Sequence, residues 1–76
     1  MKSVFTELLQ LLGDYSEKVD NGTFTDDDYT DYQRLEARIV DSYKIGYYGN
    51  VEYRALTSAY YYIKEGARVV LNLDRY

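Results

Sequence analysis

Apolar residues recur along this chain at spacings of three and four, in three runs separated by glycine-bearing breaks. Phe5, Leu8, Leu12, Tyr15 and Val19 make the first stripe, which is the pattern of an amphipathic helix with one face turned to a core. A helix over about residues 3–21 is predicted, with Ser3 as its N-cap. Gly13 lies inside it at a cost of about 1 kcal/mol relative to alanine. The stripe keeps its phase there, which reads as close packing or a slight bend. Tyr32, Leu35, Ile39 and Tyr43, widened by Tyr29 and Val40, predict a second helix over about residues 25–45, ended by Gly46. Arg34, Arg38 and Asp41 stand at neighbour spacings on its other side, as a solvated face. After Gly46-Tyr47-Tyr48-Gly49, the register Tyr53, Leu56, Tyr60, Ile63, Ala67, Val70 predicts a third helix over about residues 50–73, capped by Asn50.

The stretch from Asp20 to Tyr32 carries the clearest local signals. Asn21-Gly22 supplies a residue able to take positive φ after a helix. Thr25 and Asp28 have the spacing of a capping box, and Phe24 and Tyr29 that of a hydrophobic staple. Proline is absent, no period-two alternation is sustained, and both connections are short, which makes neighbouring helices antiparallel. The expected architecture is an all-α, up-down-up three-helix bundle in one domain spanning residues 1–76, with no repeats or linkers.

A chain of 76 residues buries only about 60 to 65% of its unfolded surface, and it contains no Cys or His to add a disulfide or zinc staple. The absence of Cys favours a cytoplasmic location. Thr6, Glu7 and Gln10 interrupt the N-terminal apolar run before it could serve as a signal segment, and no stretch approaches a membrane span. With 13 acids against 9 bases the net charge is −4. This argues against direct binding to nucleic acid or anionic lipid and favours partners with basic surfaces.

The charge is uneven. Residues 14–31 hold seven acids (Asp14, Glu17, Asp20, Asp26, Asp27, Asp28, Asp31) against one base, Lys18. Asp26, Asp27 and Asp28 in the first turn of a helix each gain about 0.3 to 1 kcal/mol from the macrodipole. Glu17 and Asp20 stand at a helix C-terminus, where the dipole opposes anions, and Asp27 with Asp31 is a repulsive i, i+4 pair. Folding alone would not select them. Carboxylates on neighbouring helical turns lie about 5 to 6 Å apart, and a nucleic-acid strand presents a charge every ~3.4 Å of axis. The hairpin is therefore expected to be either an ordinary solvated acidic end or, where it binds a cationic partner, a partial mimic of a phosphate backbone.

Eleven residues are Tyr, against two Phe and no Trp. Tyr15, Tyr32, Tyr53 and Tyr60 fall on core stripes with their hydroxyls at the rim. Tyr60-Tyr61-Tyr62 sweeps about 200° of a helix, so at least one of Tyr61 and Tyr62 is exposed. Tyr47 and Tyr48, in a glycine-flanked loop, are expected to be exposed as well. Stiff amphipathic side chains of this kind make contact at low entropic cost.

Without His or Cys there is no Ser-His pair, no thiolate and no nitrogen or sulfur metal site. No phosphate-binding glycine loop is present either. The expectation is no enzyme and no cofactor. The Gly22 region is similar to the second half of an EF-hand loop, with Glu17 first, Asn21 fifth, Gly22 sixth, Thr25 ninth and Asp28 twelfth. Val19 then takes the third position, where an oxygen ligand is required, and Asp28 replaces the bidentate Glu. A capping box explains the match better. Lys64 and Arg68, with Arg54 and Arg75, make a weak basic stripe interrupted by Glu52, Glu65 and Asp74, without helix-turn-helix spacing.

In size, charge and lack of catalytic residues the chain resembles the small acidic inhibitors that bacteriophages and other mobile elements direct against host nucleic-acid enzymes, such as anti-CRISPR and anti-restriction proteins. The resemblance covers no motif and transfers no residue roles. It implies a non-catalytic inhibitor or adaptor acting sterically, in which Asp27, Asp28 and Asp31 pair with Arg or Lys of the partner and the tyrosines add desolvated contact. Two alternatives stand beside it. One is a self-associating structural or regulatory bundle with its tyrosines in a homodimer seam, and the other a small DNA-binding regulator.

Overall fold

A computed structural model of the chain describes residues 3–71. Three helices, α1 (Val4–Asp20), α2 (Asp26–Ile45) and α3 (Asn50–Leu71), form an all-α bundle in which α3 packs against both others. The last two positions of the predicted third helix lie outside the described residues, as do Asp74 and Arg75.

Ser3 caps α1 by accepting from the Thr6 amide at 3.1 Å. At the other end Gly22, with φ +70°, turns the chain, and its amide bonds the Val19 carbonyl at 3.2 Å while the Thr23 amide bonds that of Lys18 at 2.9 Å. These two bonds satisfy carbonyls that a helix end otherwise leaves open. Thr25 then starts α2 with both halves of a capping box: Asp28 N–H donates to Thr25 Oγ1 at 3.2 Å, and Thr25 N–H to Asp28 Oδ2 at 3.0 Å. Phe24 and Tyr29 meet edge to face at 6.3 Å, as a staple requires. Gly46, with φ +100°, ends α2 by the same device as Gly22.

The expectation that Asn50 caps α3 is corrected. Asn50 is already helical, Gly49 precedes the helix and its carbonyl accepts from the Tyr53 amide at 2.9 Å. The Asn50 side chain instead receives the Tyr43 hydroxyl.

The core joins Leu8 and Leu12, Tyr32, Leu35 and Ile39, and Leu56, Tyr60, Ile63 and Ala67, all from the expected stripes. Tyr32 and Tyr60 stack at 4.5 Å with rings 4° from parallel, and the Tyr32 hydroxyl donates to the Tyr60 carbonyl, so a buried polar group is satisfied. Two further core residues come from the connections, Phe24 and Tyr48.

Tyr48 is a second correction: expected in solvent, it is only 9% exposed. The left-handed turn at Gly46 sends the chain back across the end of the bundle. There the Tyr48 ring meets Phe5 at 6.3 Å and Tyr43 at 6.5 Å, and its hydroxyl donates to the Ile39 carbonyl. Burying such a ring stabilises by about 1.5 to 3 kcal/mol, more than leaving it in water for a partner.

The glycines in the helices divide. A Cβ at Gly66 would stand 2.7 Å from Val19 Cγ1, so α3 approaches α1 through the missing side chain. A Cβ at Gly13 would meet no atom within 4 Å, so the close packing expected there is not found.

Candidate functional site

The turn at residues 21–25 sets the C-terminal end of α1 beside the N-terminal end of α2, and the seven acids of residues 14–31 gather at that end. They are not equivalent. Asp28 is built into the fold, since Oδ2 serves the cap and Oδ1 takes Lys18 Nζ at 2.9 Å. The Lys18 bond, followed by the Thr25 amide, holds the Asp28 carboxyl below the usual carboxylate range, and the same bond raises Lys18. Asp31 lies 3.8 Å from Arg34 on its own helix. Among the described residues no base comes within ion-pair distance of Asp14, Glu17, Asp20, Asp26 or Asp27, and all five are exposed. Among the described residues this end therefore presents a field of carboxylates without ion-pair partners, interrupted by Lys18. Tyr15 lies beneath it, and its hydroxyl is raised by burial and then by Asp31 and Asp28.

The four tyrosines expected as contacts separate in the same way. Tyr62 is 81% exposed and Tyr47 is 59% exposed, while Tyr48 is in the core. Tyr61 is half-exposed, but its hydroxyl donates to Glu36 Oε2 at 2.7 Å, and Lys64 Nζ stands 5.7 Å from its ring centroid. The bond to Glu36 raises the Tyr61 hydroxyl. Tyr62 is thus the free aromatic of the triple, and Tyr47 stands at the far end of the bundle from the acids. Arg34 and Arg38 are exposed as expected, and Arg38 reaches across to Glu7 of α1 at 3.2 Å.

Sequence reasoning missed one surface. Leu9, Val51 and Val69 are exposed together with Tyr62. Leu9, Tyr62 and Val69 edge an open groove between α1 and α3 whose floor includes Leu12, Val19 and Ile63. A signal was present. Val51, Ala55, Ser58, Tyr62, Glu65 and Val69 repeat at four and three along α3, a second stripe beside the core register.

The arrangement combines exposed carboxylates at fixed helical spacing with large exposed apolar side chains, features suited to contact with another molecule. Among the described residues no helix is long and apolar enough to cross a membrane. Comparison with protein-family models, with curated proteins and with solved structures finds no match for this chain.

Proposed function

We propose that the chain is a non-catalytic inhibitor or adaptor that occupies a basic, nucleic-acid-binding surface of a partner protein with its acidic hairpin, aided by Tyr62. The observation that carries this reading is the set of five exposed carboxylates that no base among the described residues approaches to ion-pair distance. Two of them, Glu17 and Asp20, stand at a helix C-terminus, where they oppose the dipole. Like charges held together against the helix field are retained for something other than stability, and guanidinium or ammonium groups of a partner would neutralise them. The resemblance in size and charge to phage-borne anti-CRISPR and anti-restriction inhibitors is consistent with such a role.

The test is capture of partners from bacterial lysate by the wild type and by an Asp26→Asn, Asp27→Asn, Asp31→Asn triple variant. Asp28 is left in place because its loss would remove the cap. The expected result is a nucleic-acid-processing enzyme retained by the wild type at low salt, released by duplex DNA or RNA, and absent from the variant. Retention indifferent to salt, nucleic acid and variant would remove the proposal.

A further inference from the structure

The geometry points to the α1–α3 groove as a docking site for an amphipathic helix of a partner protein that is apolar along one face and basic at one end. This goes beyond the acidic-hairpin reading: it shares Asp20 and Tyr62 with that surface but rests on the apolar groove between α1 and α3. The groove is apolar along Leu9, Leu12, Ile63 and Val69, and Tyr62 stands at its edge, 81% exposed. It runs from Leu9 to Asp20 on α1 and from Ser58 to Val69 on α3. At about 1.5 Å per residue each wall is ~16 Å long, the length of about three turns of a bound helix. Such a helix would place anchors at i, i+3 or i+4, and i+7.

Two observations name the occupant. First, the charged residues that line the groove are Asp20 and Glu65, both acids and both exposed, at the end where the negative pole of α1 also points. Among the described residues no Lys or Arg lines it. A basic end on the incoming helix is what complements them. A second copy of this chain would bring the same acids to the same face in an isologous pairing, with no lining base to meet them. Second, Gly13 sits in the lining with open space where a Cβ would be and no positive φ to require glycine. The fold gains nothing from it and forgoes the stability that alanine would give in mid-helix. An incoming helix seated at that point gains room for close approach.

The experiment uses two synthetic peptides of roughly 14 residues, a length set by those three turns. They share one leucine face and differ in carrying Lys or Glu at one end. Binding is read by fluorescence anisotropy and by amide shifts of the isotope-labelled full chain. The Lys peptide is expected to shift Leu9, Gly13, Tyr62, Ile63 and Val69 and to bind about tenfold tighter than the Glu peptide. Gly13→Met, which fills the opening, should abolish binding while thermal unfolding shows the variant folded. Asp20→Asn with Glu65→Gln should bring the two peptides level. The proposal is overturned if neither peptide shifts these residues, if both bind the wild type equally, or if sedimentation finds a dimer whose seam covers Tyr62 and Val69. Asp26, Asp27 and Asp31 lie outside the groove, so failure here leaves the hairpin reading to its own test.

Discussion

The two connections of this bundle do the same mechanical work by different means. Each follows a left-handed glycine, Gly22 or Gly46, and each returns one aromatic ring to the core, Phe24 at one end and Tyr48 at the other. The first then launches its helix with a reciprocal cap and a staple. The second launches α3 from Gly49 with no side-chain cap at Asn50, and relies on Tyr48 and the Tyr43–Asn50 bond. The contrast teaches that an aromatic in a short interhelical loop closes the end of the bundle, and that capping chemistry is one of two ways to hold it there.

The largest test of this equivalence is to remove the plugs. Phe24→Ala and Tyr48→Ala should each destabilise by about 3 kcal/mol in denaturant unfolding. A Tyr48 variant costing a few tenths would mean that the second loop is held by its backbone alone. Gly22→Ala and Gly46→Ala should each cost about 1 kcal/mol, because alanine is strained in the left-handed region, and equal losses would confirm a shared turn.

The caps sharpen the difference. Thr25→Ala is expected to cost about 1 kcal/mol, whereas Asn50→Ala removes the exposed bond from the Tyr43 hydroxyl rather than a cap and should cost about 0.5 kcal/mol. Comparable losses would restore Asn50 as a cap.

The smallest effect is in pH. Asp28 is held below its ordinary pKa in the folded chain, so its contribution is present above the unfolded carboxylate value of about 3.9 and fades as pH falls through the lower folded one. Lys18 is raised, so its share is intact below about 10.4 and is lost as pH climbs through the folded value. The Tyr60 hydroxyl is pushed up to about 12, chiefly by burial and then by Glu36, which adds a decline between about pH 10 and that value. Amide exchange in acid should accordingly loosen residues 21–28 before residues 46–50, and Lys18→Met should narrow that difference while the Thr25–Asp28 bond keeps part of it.

Most of the fold was legible because its signals are local. Ser3, Gly22, Thr25 with Asp28, Phe24 with Tyr29, and Gly46 each act within a few residues, and each appears in the role its spacing implies. Tyr48 was not legible, since its burial depends on the path of the chain over Phe5, 43 positions earlier in the sequence. Two aromatics between two glycines do not say which one turns inward. The candidate surface was legible in its acids and in Tyr62. It was not legible in the engagement of Asp28 and Tyr61, because their partners Lys18 and Glu36 are supplied by other helices. The α1–α3 groove went unseen because its edge joins residues from helices not adjacent in the chain.

The close passage of Gly66 over Val19 bears on how the chain reaches this state. The most extensive seam of the bundle joins α1 to α3, elements that meet only after α2 has been looped between them. Helical hairpins that close over a few residues form quickly, whereas contacts distant along the chain first require the entropy of loop closure. Bringing α1 onto α3 therefore carries the larger loop-closure cost, and the narrow gap at Gly66 leaves no room for a side chain in that crossing. A larger residue there should slow refolding more than it speeds unfolding, marking this crossing as part of the transition state rather than a late adjustment.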